Sequence, residues 1–224
     1  MVTTAGTTHR PYSARRAWRI ASVYFATGIV LGAVTGALGD VFDRPILGHG
    51  SWSNTTFVLW MIGCIVLEVV AYGVIWPLGT LTHGRPRRVG WQLGFGLTWG
   101  VCESLVFLSI VAIIDRFTDT RWIVAVASFV VISAFTGIWH DKFWDIHVAP
   151  EHNIIEWNLR KVLLCHIPNL CATLPFLVVY RAPVLFIVFQ TISLTLSTWF
   201  MRFPAPDWVE SGPIGSGEHL RQAE

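Results

Sequence analysis

Long apolar runs separated by short polar segments dominate this chain. Six runs reach the roughly 20 residues needed to cross a hydrocarbon core about 30 Å thick. They extend from Trp18 to Leu38, Phe57 to Trp76, Trp91 to Ile114, Trp122 to Trp139, Val162 to Tyr180 and Pro183 to Met201. Trp18, Trp76, Trp91, Trp122, Trp139 and Trp199 fall at or near their ends, which matches the aromatic belt at a bilayer interface. The pattern predicts an all-α integral membrane protein, a bundle of about six transmembrane helices. Only Arg181 and Ala182 separate the fifth run from the sixth. The two could form a tight hairpin or one long broken helix, and the hairpin is favoured. Residues 1–203 then form one transmembrane domain. The tail of residues 204–224, rich in Gly, Pro and charge and without periodicity, is expected to be disordered.

Composition strengthens this reading. Hydrophobic residues make up 53% of the 224 positions and charged residues 13%, against about 25% charge in soluble domains. The formal net charge of +2 hides a split, since charges sit between the runs and hardly ever within them. No basic face is available for a nucleic acid, so such a partner is excluded. Cys64, Cys102, Cys165 and Cys171 all lie inside apolar runs and form no CxxC pair; they read as small polarizable hydrophobes. The basic N-terminus before an apolar run resembles a secretory signal. The run is too long for one and lacks a small-residue cleavage site, so it is expected to be a retained helix.

Lys and Arg distribution orients the bundle, because cytoplasmic segments are enriched in them. With the N-terminus inside, the inner segments hold Arg10, Arg15, Arg16, Arg19, Arg85, Arg87, Arg88, Lys142, Arg160, Lys161, Arg202 and Arg221, and the outer ones only Arg44, Arg116, Arg121 and Arg181. Twelve against four places both termini and the loop from His140 to Asn158 in the cytoplasm, with the protein in the cell membrane.

Ionisable groups within a span are costly and mark functional sites by default. Glu68 is the twelfth residue of the second run and Glu103 the thirteenth of the third, so both lie near the midplane. The i±4 row around Glu68 reads Trp60, Cys64, Tyr72 and Trp76, and Glu103 shares a face with Gln92 and Trp99. An aromatic-walled pocket with one or two acids is expected. The alternative is that each glutamate is a packing device, hydrogen-bonded to a neighbouring helix.

The densest chemistry begins where the fourth run ends. From His140, 13 residues contain His140, Asp141, Asp145, His147, Glu151 and His152, with Trp139, Trp144, Asn153 and Trp157 close by. The fifth run opens on a polar stripe of Asn158, Lys161, Cys165 and Asn169, flanked by His166, and carries Pro168 and Pro175, which remove backbone donors and predict a kink lining a cavity. The fourth and fifth helices therefore present one polar mouth to the cytoplasm. The competing reading of this loop is a solvated connector that caps helices and meets headgroups. His9, His49, His83 and His219 lie outside the cluster and read as surface residues.

This equipment fits acid-initiated cyclisation of a membrane-soluble isoprenoid. Such chemistry needs a carboxylic acid kept protonated by apolar surroundings, to hand a proton to an alkene or epoxide. It also needs aromatic walls that stabilise the migrating cation. Glu68, Glu103 and Asp141 are the candidate acids, and 12 Trp and 14 Phe can supply walls.

The small size, the multiple spans, the glutamate closing Cys64-Ile65-Val66-Leu67-Glu68 on the second span and the Trp-flanked acids resemble the small membrane-bound terpene cyclases. These are the fungal meroterpenoid cyclases and the actinobacterial cyclases of drimentine-type indole sesquiterpenoids. The resemblance implies cyclisation of a prenylated or epoxidised substrate without a metal cofactor, and it assigns the second-span acid to Glu68. The fungal enzymes look seven-spanning and use a second acid near their last helix. This chain has no acid there, and Asp141 is taken as the partner acid. Substrate contacts are expected from Trp60, Tyr72, Trp99, Trp139, Trp144, Asp145, His147, Glu151, His152, Asn153, Asn158, Lys161, His166 and Asn169.

Other readings use the same residues. His140, Asp145, His147, Glu151, His152 and His166 suit iron or zinc, as in a membrane oxygenase, desaturase or hydrolase, although no HxxxH or HxxHH box occurs. Asp141 and Asp145 form a lone DxxxD that could bind diphosphate through magnesium in a prenyltransferase. A small transporter could relay protons through midplane acids, but many transporter folds carry internal repeats, and none is detectable here.

Overall fold

The computed structural model describes residues 14–78, 80, 86–140 and 159–204. Seven helices account for most of them: α1 Ala14–Thr35, α2 Ala37–Asp43, α3 Thr55–Leu78, α4 Val89–Asp115, α5 Arg121–Trp139, α6 Leu159–Val178 and α7 Pro183–Met201. Six of them, all but α2, are long and apolar enough to cross a membrane, and each falls on one of the apolar runs. This is the architecture of a multi-pass membrane protein. Large apolar side chains such as Val30, Leu59, Ile62, Val66, Val126 and Val130 are exposed along these helices, where lipid rather than water is their natural surrounding.

Local chemistry sets the helix ends. The first run was expected to continue to Leu38, but α1 stops at Thr35 because Gly36 adopts φ 79°, a left-handed conformation that costs glycine little, and α2 starts afresh at Ala37. Asn54 caps α3 by accepting a hydrogen bond from the Phe57 amide at 3.1 Å. Gln92 secures the start of α4: its Oε1 accepts from the Arg88 amide at 3.1 Å and its Nε2 donates to the Pro86 carbonyl at 3.2 Å. Between α6 and α7 the chain turns sharply, with Arg181 at φ 51° and the Ala182 amide donating to Phe176 O at 2.7 Å. The hairpin is therefore the form adopted.

α4 is the axis of the bundle, and packs most extensively on α7 and α1. Gly96 and Gly100, one turn apart, let α7 approach closely: a Cβ at Gly96 would lie 2.6 Å from Thr195 Cα, and one at Gly100 2.5 Å from Thr191 Cα. Without a hydrophobic drive between helices in lipid, this small-xxx-small contact and interhelical hydrogen bonds hold the pair. α3 and α6 each contain a π-helical stretch, Val69–Ile75 and Val162–His166. The two lie against each other, with Cys165 Sγ donating to Ala71 O at 3.2 Å. Pro168, which has no backbone N–H to donate, follows directly after the second stretch, near the start of the regular α-helical part of α6.

Candidate functional site

A cavity of about 90 Å³ lies in the middle of the bundle, bordered by all the spans except α1. α3 contributes Tyr72 and α4 Glu103 and Phe107. α5 supplies Ser133 and Thr136 and its C-cap His140, α6 His166 and Asn169, and α7 Gln190 and Ser193. Both midplane acids are buried, Glu68 at 4% and Glu103 at 3% exposure. Glu103 lies on the cavity wall, whereas Glu68 sits one layer behind it, reached through Asn169 and Ser193.

Glu68 anchors a network of five polar side chains from three helices. Asn169 Nδ2 donates to Glu68 Oε1 at 3.0 Å, and Ser193 Oγ donates to Glu68 Oε2 at 2.9 Å. The same Asn169 amide donates to Ser193 Oγ. Gln190 Nε2 donates to Asn169 Oδ1 at 2.9 Å and to Thr173 Oγ1 at 2.8 Å, and Thr173 Oγ1 is within 2.8 Å of Asn169 O. Ser193 Oγ also stands 2.9 Å from the Phe189 carbonyl. The hydroxyl therefore has two uses for one hydrogen. With Glu68 ionised, Ser193 donates to the carboxylate. With Glu68 protonated, the carboxyl can donate to Ser193 Oγ while the serine hydrogen turns to Phe189 O. Both charge states find partners with no heavy-atom movement.

An aromatic cluster stands beside the cavity. Tyr24 packs on Trp139 at 4.7 Å and on Trp99 at 5.0 Å between ring centroids, and Trp99 on Trp139 at 5.9 Å. Glu103 is close enough to Tyr24 and Cys102 to act on both electrostatically. At the other wall Tyr72 stacks on Trp76 at 5.5 Å, and His166 meets Trp76 edge-on at 5.3 Å. The His140 and His166 rings lie 6.2 Å apart.

The sequence-predicted residues thus separate into three groups. Tyr72, Glu103, His140, His166 and Asn169 meet at the cavity, with Glu68 behind them and Trp99 and Trp139 in the adjoining cluster. Two point elsewhere. Trp60, 39% exposed, donates its indole N–H to Ala172 O at 2.8 Å and ties α3 to α6. Buried Lys161 lays its ammonium over the Trp76 ring at 3.9 Å, a cation–π contact. Asp141, Trp144, Asp145, His147, Glu151, His152, Asn153 and Asn158 lie outside the described residues, as does the tail from residue 205 on. The residues that sequence reasoning missed are Thr173, Gln190, Ser193 and Tyr24. Gln190 is a lone amide within an apolar run and stands three residues before Ser193, the signal that could have drawn attention to α7.

Among the described residues no group of three or more His, Cys, Asp or Glu is placed to hold a metal ion. No protein-family model matches the chain, and no curated protein or solved structure is significantly similar to it. The class that fold and site define is a six-span helical membrane protein with a buried, acid-bearing cavity.

Proposed function

We propose that the chain is a membrane-bound terpene cyclase that starts ring closure by protonating a prenylated or epoxidised isoprenoid. The observation that carries this reading is the convergence on one buried cavity of Glu103 and the Glu68 network, beside the Tyr24, Trp99 and Trp139 cluster. In the reaction an acid O–H bond breaks and a C–H bond forms at an alkene, or an epoxide oxygen takes the proton as its C–O bond opens. The cation migrates, and loss of a proton to a base ends the sequence. Glu103 is the acid placed to touch the substrate. Glu68 is the alternative source of that one proton, passed through Ser193, and in that case the Asn169 and Ser193 donors stabilise the Glu68 carboxylate left behind. Hydrogen bonds of this kind also suit a glutamate that only locks helices together, so the chemistry must be tested separately from stability.

The cavity is smaller than the roughly 300 to 1,000 Å³ of ordinary ligand sites, so a prenyl chain enters with displacement of apolar wall residues such as Val162, Leu170 and Leu194. The mouth faces the cytoplasm in this reading, where the polar segment after His140 begins. The deciding experiment assays the purified chain with prenylated and epoxidised substrates. Glu103→Gln keeps shape and hydrogen bonding but removes the transferable proton, and should lower the rate by about 10² to 10⁴. Wild-type rates in both Glu103→Gln and Glu68→Gln would overturn the proposal.

The close approach of His140 and His166 favours one second reading, a metal-dependent oxygenase or hydrolase completed by residues of the 141–158 segment. A stoichiometric transition metal in the purified protein, lost in His166→Ala, would support it over the cyclase.

A further inference from the structure

A second cavity, of about 290 Å³, lies at the opposite end of the bundle from His140, between the C-terminal ends of α1 and α4, α2 and the α6–α7 hairpin. Its ionisable lining consists of three arginines and two aspartates. Each aspartate is committed. Asp40 pairs with Arg44 at 2.9 Å, and Asp115 grips Arg181 in a two-pronged pair at 2.8 and 3.0 Å. Arg116 is different: one of its nitrogens, Nη2, donates to the Thr35 carbonyl at 2.7 Å, and among the described residues no carboxylate pairs with it. Three guanidiniums against two carboxylates leave one positive charge. That charge is carried on a side chain anchored at one prong, with its remaining donors available. Buried Leu108, Val111 and Leu177 form the apolar side of the same cavity.

The geometry points to a binding site for a phosphate group, with Arg116 as its principal ligand. A guanidinium fork matches phosphate oxygens two at a time. Both carboxylates of the lining are engaged, Asp40 by Arg44 and Asp115 by Arg181, and neither is paired with Arg116. The helix ends that form the cavity are those of membrane-crossing helices, which is where the phosphates of lipid headgroups lie, and the leucine and valine side chains offer a surface for an acyl chain. A lipid headgroup and free phosphate share this chemistry. The site is independent of the cyclase reading.

The test uses the full chain. Thermal unfolding is measured in nanodiscs of phosphatidylcholine alone and of phosphatidylcholine with phosphatidylglycerol, and separately in detergent with added inorganic phosphate. Ligand that binds only the folded state raises Tm with a saturating dependence. The expected result is a saturable rise with phosphatidylglycerol that Arg116→Gln abolishes. Arg121→Gln, at the same end but outside the cavity lining, should keep it. A rise with phosphatidylglycerol alone identifies a lipid headgroup, and an equal rise with inorganic phosphate identifies the free ion. Should Arg116→Gln fail to fold, Arg116→Lys, which keeps the charge and loses the fork, must weaken the response. No rise with either ligand in the wild type, or an equal loss in Arg121→Gln, would overturn the site.

Discussion

The Asn169 side-chain amide donates to Glu68 Oε1 at 3.0 Å, joining the second and fifth spans across 101 positions of sequence. The same side chain accepts from Gln190 on the sixth span, so one amide ties three helices together. Replacing it with alanine leaves the Glu68 oxygen and the Gln190 amide short of partners. A buried polar group left unsatisfied costs about 1 to 3 kcal/mol, although interhelical bonds in membranes average nearer 0.6. Asn169→Ala should therefore unfold at a visibly lower temperature in detergent. Unchanged unfolding would show that the network is not part of what holds the bundle.

Ser193 separates a structural network from a chemical one. Its hydroxyl touches Glu68 Oε2 at 2.9 Å and borders the cavity. If protons pass between Glu68 and substrate through it, Ser193→Ala should slow turnover per folded molecule by at least the roughly 10² associated with losing acid–base catalysis. Ser193→Thr, which keeps the hydroxyl, should retain a large part of the rate. An alanine variant with reduced stability and normal turnover would reduce Ser193 to a helix tie.

The α4–α7 contact makes a sharper stability prediction. A Cβ at Gly100 would stand 2.5 Å from the Thr191 backbone, so Gly100→Ala must push the two helices apart. Overpacking of this kind costs about 1 to 3 kcal/mol. Gly63, also inside a span, has nothing within 4 Å of such a Cβ, and Gly63→Ala should be neutral or slightly stabilising through helix propensity. Equal unfolding temperatures for the two variants would contradict the close packing.

Most of the fold was legible because a bilayer imposes length. A run such as Phe57 to Trp76 has few ways to satisfy its backbone in lipid, and it forms a helix with ends at Thr55 and Leu78. The break at Gly36 was not legible, since glycine within an apolar run reads equally well as helix until its backbone conformation is known. At the site, the acids stood out because charge is rare in a span. The network around Glu68 did not, because Thr173, Gln190 and Ser193 are individually unremarkable and become partners only once α6 and α7 fold back on each other at Arg181. Trp60 illustrates the converse case. Its place on the Glu68 row predicted a pocket wall, but four residues per turn drifts against the true helical period, and the indole ends on the Ala172 carbonyl outside the cavity.

Orientation remains the link between the site and its access, and it can be tested without any substrate. Six helices long and apolar enough to cross predict both termini on one side, and the twelve-to-four division of Lys and Arg predicts that side to be the cytoplasm. A reporter fused after Glu224, or inserted at Pro150, should read cytoplasmic, whereas one inserted next to Asp119, between α4 and α5, should read external. The charges responsible also make a directional prediction. Exchanging Arg85, Arg87 and Arg88 for glutamine removes three of the twelve inner charges and should weaken the bias without inverting it, because Arg10, Arg15, Arg16 and Arg19 still cluster at the N-terminal end of the first span. An external signal from the Pro150 insertion in the wild type would place the His140 end of the bundle on the other face of the membrane. On the cyclase reading, the substrate would then have to reach the cavity from outside.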